Sequence, residues 1–309
     1  MKKLFIGAMT VAAMASCSQN KIVESSDSEK PVAIEFSKSQ FGNSIITKAD
    51  AAVKDVFIVS AFKGADAYDG ITNQFLTKKT NWGLAATVDG EHQTHYYPVD
   101  GTAINFLSYR QDDAISEPTI AADGITMTAT LDKDMVDKDL VVTEIAATGS
   151  KTSTTITLKH VHTLSRMQFT REVANGTGWT VSVESIKVNG LSVGTYTKGT
   201  WAASGTAIDW IALETSNTID ATKKAIAGAR GLNLIPQEGV KVTASVKITH
   251  TTHGTVTKDV TGTLTLEKGK LHTVNVKVDP TKELASINFA TPTIDDSWGT
   301  GSSNPDINN

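Results

Sequence analysis

One serine in the sequence stands in a pattern that nucleophilic enzymes use. Gly190-Leu191-Ser192-Val193-Gly194 matches G-x-S-x-G, in which the serine lies on a tight turn between a strand and a helix. The residues that follow include the β-branched Thr195 and Thr197 and show no helical periodicity, so the turn into a helix is missing. We therefore expect Ser192 to lie in a strand or turn, and we expect the protein not to be an enzyme.

Two further groups have residue types that bind metals. His160 and His162 are two residues apart, which places both imidazoles on one face of a strand. No third ligand is apparent nearby, so partly buried, hydrogen-bonded histidines are the prediction. The four aspartates between 132 and 139 look like a calcium loop, but Val136 stands at the fifth position and the required glycine and glutamate are missing. The sequence therefore predicts no metal and no cofactor.

The N-terminus carries the residues of an export signal. Lys2 and Lys3 precede an apolar run, Leu4–Ala15, that is too short to remain in a bilayer as a spanning helix. Small residues then precede Cys17, which is the only cysteine, and this arrangement resembles the lipobox of bacterial lipoproteins. Residues 1–17 are thus predicted to be a lipoprotein signal peptide, with Cys17 acylated (palmitate) and anchored in the outer membrane at the cell surface. A plain secretory leader is the alternative.

Charge and composition exclude several classes of protein. The formal net charge is −4, the isoelectric point is about 6.0, and lysine and arginine are scattered, so the positive surface of a nucleic-acid-binding protein is missing. With one cysteine in the chain, no intramolecular disulfide can form. Stability must then come from packing and hydrogen bonds.

The elements that would position these residues are strands. In Val240–Ile248 apolar residues occupy every other position, and similar alternation recurs around Val274–Val278 and in the threonine-rich 255–266. Shorter candidates have the same composition and are separated by Gly, Asn and Asp; they lie at 32–36, 56–62, 103–109, 125–131, 140–145, 154–158, 164–170 and 179–188. Within 179–188 the alternation slips by one residue, which predicts a β-bulge near Ser185. Helical signal is weak, and its best candidate is 221–229.

The length suggests two domains. Residues 18–30 are polar and lack aromatics, so they are expected to form a flexible tether. The predicted organisation is a tether or propeptide over 18–48, an N-terminal β-sandwich over 49–159, and a C-terminal β-sandwich over 160–309 that ends in a tail from residue 284. The fold class is therefore all-β, with two tandem sandwiches.

Several segments, in order, resemble the fimbrillin family of subunits of lipoprotein-derived fimbriae. The segments read YPVDG leading into INFLSY, DLVV, LKHVHTLSRMQF, LIPQ and LEKGKLH, at 97–101 with 104–109, 139–142, 158–169, 234–237 and 266–272. The family usually has an aromatic residue where this chain has Leu266, and often has His-Ala-Leu-Ser where it has His162-Thr163-Leu164-Ser165. The resemblance implies two transthyretin-like Greek-key sandwiches in a structural subunit of a surface fimbrium, either a stalk subunit or an accessory or tip subunit, that supports adhesion.

The resemblance also implies how such subunits assemble. A protease that cuts after Arg or Lys frees the first strand, and the C-terminal segment of a neighbouring subunit fills the groove that is left. The first strand would contribute Val32, Ile34 and Phe36, and the cut would follow Lys48 or Lys38, or would not occur. The donor tail would contribute Ala285, Ile287, Phe289, Ile294 and Trp298. The partners are other fimbrial subunits, the protease and the membrane. A lipid-anchored glycan-binding β-sandwich protein is the alternative function.

Overall fold

The computed structural model describes residues 30–37, 40–41, 44–45, 57–111, 118–121, 126–133, 138–143, 147–152, 155–219, 222, 224–282 and 284–294. Over these ranges the protein is all-β, as the sequence predicts. Its strands are β1 (Glu35–Phe36), β2 (Gln40–Phe41), β3 (Ser44–Ile45), β4 (Phe57–Lys63), β5 (Asp66–Ala67), β6 (Gln74–Lys78), β7 (Trp82–Ala85), β8 (Ile104–Gln111), β9 (Thr119–Ile120), β10 (Thr126–Thr130), β11 (Leu140–Thr143), β12 (Ala147–Gly149), β13 (Thr155–Ile156), β14 (Lys159–His162), β15 (Ser165–Val173), β16 (Trp179–Thr197), β17 (Thr200–Leu213), β18 (Asn217–Ile219), β19 (Lys224–Ala225), β20 (Leu232–Leu234), β21 (Val240–His250), β22 (Gly254–Leu264), β23 (Lys270–Asp279), β24 (Leu284–Phe289) and β25 (Thr293–Ile294). A 3-10 turn, Pro280–Lys282, joins β23 to the last two strands.

The first sheet is built from the N-terminal half of the chain. Its strands follow the order β13-β1-β7-β6-β4-β8-β11-β14-β2-β3, with β5 beside β4 and β12 beside β8. The N-terminal strands occur at both ends of this order: β1 lies between β13 and β7, and β2 pairs with β14. Both contacts to β13 and β14 are parallel. The first residues of the chain therefore connect the two ends of the sheet.

The middle of the first sheet is buried on both faces. Along β8, Phe106 belongs to a smaller core with Phe36 and Phe57, whereas Leu107 and Tyr109 belong to a larger core shared with the other two sheets. A strand buried on both faces needs nearly continuous apolar residues, and the sequence INFLSY supplies them.

The second and third sheets enclose the larger core. The second has the order β22-β21-β16-β10-β9, with β17 and β18 also paired to β16, and the third has the order β19-β15-β23-β24, with β20 and β25 at its margins. Alternate residues of β21 are buried, from Val240 to Ile248. The register between β16 and β21 shifts between Val183 and Ser185, which confirms the predicted bulge.

One strand pairing crosses the predicted domain boundary. β10, which lies before residue 159, pairs along its length with the far end of β16. Strands β9 and β10 therefore belong to the second sheet, although they precede the last strands of the first sheet in the chain. The division into domains at 159/160 stays a prediction.

Candidate assembly surfaces

The first strand lies inside the first sheet. Ile34 and Phe36 are buried, 9% and 8% exposed, Val32 packs partly buried against the same core, and Glu35 points to solvent. The Phe36 ring meets the Phe106 ring edge to face, with ring centroids 5.7 Å apart. The alternation of Val32, Ile34 and Phe36 in the sequence predicts this burial. Whether the strand is removed stays a prediction.

Backbone hydrogen bonds hold the first strand from two sides. On one side Ile34 N donates to His95 O at 2.8 Å and Tyr97 N donates to Val32 O at 2.9 Å. On the other side Ser37 N donates to Ile156 O at 2.9 Å. Loss of this strand would leave donors and acceptors on both flanks unsatisfied, and each such group costs about 1–3 kcal/mol if it stays buried. The vacated position is therefore a site for another strand.

The smaller core, which contains Phe36 and Phe57, borders on polar side chains around β14. His160 is fully buried, stacks on Phe57 with ring centroids 4.0 Å apart, and its Nε2 lies 2.9 Å from Ser108 Oγ. Burial, with the nearby Arg110 charge, lowers the pKa of His160 to about 3. The imidazole is therefore neutral and structural, as the sequence favours.

Beside His160 the side chain of His162 faces a carboxylate. His162 Nδ1 lies 2.7 Å from Asp139 Oδ2, and the other carboxylate oxygen accepts the backbone N–H of Leu140 at 2.8 Å. Arg110 Nη2 lies 4.0 Å from Asp139 Oδ2. Asp139 is therefore a buried carboxylate that is hydrogen-bonded to its neighbours.

The tail pairs within its own chain. β24 runs antiparallel to β23, from Leu284 opposite Asp279 to Phe289 opposite Val274, and β25 pairs with Lys270 and Leu271. Phe289 is partly buried against the larger core, whereas Ser286 and Asn288 are exposed. β24 is the edge of the third sheet, so the candidate donor residues on β24 and β25 lie on a strand that can leave without breaking the sheet interior.

Several predicted sites lie outside the described residues. These are the lipidation site, both candidate cut sites and the last donor residue: Cys17, Lys38, Lys48 and Trp298.

Ser192 lies within β16, and its backbone oxygen accepts the N–H of Leu131 at 2.8 Å. The turn of a hydrolase nucleophile is therefore not formed there. In the described ranges no three His, Cys, Asp or Glu side chains come together as metal ligands, and no helix there is long and apolar enough to cross a membrane.

An aromatic cluster that sequence reasoning missed lies at the β21–β22 turn. The rings of Trp179 and His253 are nearly parallel, with centroids 5.7 Å apart, and the His250 ring lies 4.4 Å from Trp179. His253 is exposed and the other two rings are partly exposed. Trp179 precedes His250 by 71 positions in the sequence, so only the pairing of Trp179 with His250 across the sheet brings it to the two histidines.

The fold and these surfaces define an all-β protein whose first strand lies between two strands of the first sheet and whose tail forms the edge of the third sheet. The sequence matches the fimbrillin-like family over residues 46–296. The chain belongs to this family, and it is a subunit of a bacterial surface fimbria.

The structure is similar to that of a fimbrial protein from Bacteroides vulgatus, with a TM-score of 0.58, 17% sequence identity, and coverage of 84% of this chain and 98% of that chain. Two proteins described as cell adhesion proteins, from Bacteroides uniformis and Bacteroides ovatus, are also similar. The first has a TM-score of 0.46, 18% identity and coverage of 84% and 98%; the second has a TM-score of 0.47, 14% identity and coverage of 85% and 97%. None of the curated proteins matches the sequence significantly.

Proposed function

We propose that this chain is a shaft subunit that polymerises by strand exchange after a protease removes its first strand. The observation that best supports this proposal is the position of β1. This strand lies between β13 and β7, and its segment precedes the rest of the first sheet in the chain. A cut after Lys48, or after Lys38, releases β1 without interrupting any strand from β4 onward.

The groove left by β1 has a strong affinity for apolar side chains. Ile34 and Phe36 are both buried, and burial of a side chain of this size contributes about 1.5–3 kcal/mol. A neighbour's tail recovers this burial with Ile287 and Phe289, and its backbone satisfies the groups that β1 leaves unpaired. The net gain is smaller, because the tail must leave β23 and lose conformational freedom. Many hydrogen bonds must break together for the strand to leave, so dissociation is slow.

The lipid anchor and the protease belong to the same proposal. Acylation of Cys17 holds the precursor in the outer membrane, and the cut after Lys48 or Lys38 separates the anchored tether from the subunit. Maturation then releases the subunit and opens its groove in one step. The protein has no catalytic role in this scheme, and it supports adhesion as part of a surface polymer.

The test removes the tail and then changes one residue of it. Deletion from Leu284 onward is expected to abolish SDS-resistant ladders of the protease-treated protein, while the rest of the chain still folds. Ile287→Asp is expected to have nearly the same effect, because it forces an unpaired charge into an apolar groove. The matched control is Ser286→Asp, since Ser286 is exposed on the opposite face. Fibres of normal length from both tail variants would refute the C-terminal donor.

A second candidate function rests on the aromatic cluster of Trp179, His250 and His253. Stacked, partly exposed rings at the tip of a hairpin suit the apolar face of a sugar ring, so a glycan-binding role is favoured by this observation. A glycan array would detect it, and loss of the signal in Trp179→Ala with unchanged polymerisation would assign binding to this cluster.

A further inference from the structure

Two exposed apolar side chains lie close together in the sequence at a turn of the N-terminal half. Among the described residues three large apolar side chains are exposed, and two of them, Tyr96 (44% exposed) and Val99 (70%), lie in this segment. The turn is closed by a hydrogen bond from Gly101 N to Pro98 O at 3.0 Å, so Val99 stands at its first central position. Glycine, proline, asparagine, aspartate and serine are the usual residues of such turns. A valine here is therefore not required by the turn, and paired exposed apolar residues indicate a contact surface.

The leading segment of the described chain, residues 30–37, runs beside this turn. Ala33 forms an antiparallel bridge with Tyr96. In an antiparallel register the partners move in opposite directions, so three residues before Ala33 the exposed Lys30 comes opposite Val99. The chain that leads back to Cys17 therefore leaves the first sheet next to the exposed valine.

The distance in sequence between this point and the predicted lipid anchor is short. Thirteen residue steps separate Cys17 from Lys30, and a fully extended chain of that length spans at most about 45 Å. If Cys17 is acylated, the exit point of the chain cannot lie farther than this from the lipid. Side chains beside the exit point reach the lipid surface with the least extension of the tether.

The polar groups around the exposed pair already have partners within the chain. Three side chains provide them: Tyr68 donates to the carbonyl oxygen of Tyr96 at 2.9 Å, Lys151 donates to that of Val99, and Lys63 pairs with the carboxylate of Asp100 at 2.7 Å. Paired polar groups lose less free energy than unpaired ones when they leave water. Tyrosine and lysine also suit a membrane interface, where the ring or the stem contacts apolar groups and the polar end stays in the headgroup layer.

We infer that Tyr96 and Val99 insert into the headgroup boundary of the lipid surface that holds the acylated Cys17. This inference rests on the lipid anchor proposed above, and it adds the surface by which the folded part of the precursor contacts the membrane. The contact orients the precursor with the 96–101 turn towards the lipid. On the proposed scheme, the cut that separates the subunit from its anchor also ends this contact.

The experiment measures the depth of a nitroxide label at the turn in the acylated, full-length precursor. The protein is reconstituted in vesicles of phosphatidylethanolamine and phosphatidylglycerol. Because acylation converts the sulfur of Cys17 to a thioether, Val99→Cys supplies the one free thiol for the label. The matched control is Val88→Cys, since Val88 is also an exposed valine (45%) but lies in the loop closed by the bridge between Leu84 and Gln93.

The expected result is a difference between the two labels. Oxygen concentrates in lipid and a nickel chelate stays in water, so the ratio of oxygen to nickel accessibility should be several-fold higher for the label at position 99 than at 88. Addition of Tyr96→Asp to Val99→Cys should lower this ratio several-fold, because a carboxylate opposes insertion. An unchanged ratio in that double variant would exclude Tyr96 from the contact.

Palmitate incorporation and flotation with the vesicles, measured on the same samples, separate this inference from the anchor. A protein that is acylated and floats, but whose label at position 99 stays in water or is no deeper than the label at 88, overturns the inference and leaves the anchor standing. A protein without palmitate that does not float overturns both. Dipolar broadening between labels at position 99 would show that a second copy, and not lipid, covers the turn.

Discussion

Phe36 offers a substitution whose effect should depend on processing. Its side chain is 8% exposed and its ring contacts Phe106 edge to face. Truncation of a buried phenylalanine to alanine costs about 3–5 kcal/mol. Phe36 lies near a margin of the sheet, where neighbours can relax, so we take the lower value for Phe36→Ala.

The expected loss translates into a large change of melting temperature in the intact chain. For a body of 150–250 residues each kcal/mol shifts Tm by about 2–4 °C, so about 3 kcal/mol lowers Tm by roughly 6–12 °C. The assay is thermal unfolding of the unprocessed Cys17→Ala protein, followed by circular dichroism. Glu35→Ala is the matched control, because Glu35 is exposed beside Phe36 and surface substitutions usually change stability by less than about 0.5 kcal/mol.

After processing, the same substitution should have no effect. The protease removes residue 36, so Phe36→Ala and wild type are expected to form fibres at equal rates, whereas Phe289→Ala is expected to slow assembly. A Tm within 2 °C of the Glu35→Ala control would refute the burial argument. Slower assembly of processed Phe36→Ala would refute removal of the first strand.

Three further predictions concern the anchor, the cut and a buried histidine. Cys17→Ala is expected to leave the chain without incorporated palmitate, and normal lipid labelling of this variant would contradict the lipid anchor at Cys17. Lys48→Gln is expected to block maturation at that position, seen by N-terminal sequencing, and a cut shifted to Lys38 would identify the other site. The pKa of His160, about 3 when folded, lies below its unfolded value of about 6.5, so the unfolded chain binds more protons between these values and stability falls as pH drops through this window. The free energy of unfolding from urea titrations should therefore decrease by up to about 1.4 kcal/mol per pH unit more in wild type than in His160→Gln, and equal slopes would contradict the burial of a neutral imidazole.

Strands with clear alternation could be predicted from the sequence, and those without it could not. β21 and β23 alternate apolar and polar residues. In β16 the alternation shifts by one residue near Ser185, and this shift predicts the bulge. β17 has the sequence TWAASGTAIDWIAL, in which alanine, serine and glycine weaken the strand signal. It forms because β16 pairs with it along almost its whole length. The weak helical candidate at 221–229 is wrong in its described part, where Lys224–Ala225 is a strand.

The candidate sites also differ in how far they can be predicted from the sequence. The alternation of Val32, Ile34 and Phe36 identifies an apolar face, but the parallel pairing of β1 with β13 joins residues far apart in sequence and has no local signal. The cluster of Trp179 with His250 likewise depends on register across the sheet.

The pairing of both segments within one chain explains why the precursor need not polymerise. Before the cut, the leading segment fills the groove and the tail pairs with β23, so each apolar strand already has a partner. In the proposed scheme the cut would remove the leading segment and leave one vacant groove for one tail in every subunit. Because β24 holds only an edge position, whereas a vacant groove would offer apolar contacts and backbone partners on both sides, we expect exchange to be favourable after the cut and not before it. On this proposal the proteolytic step would set when assembly starts.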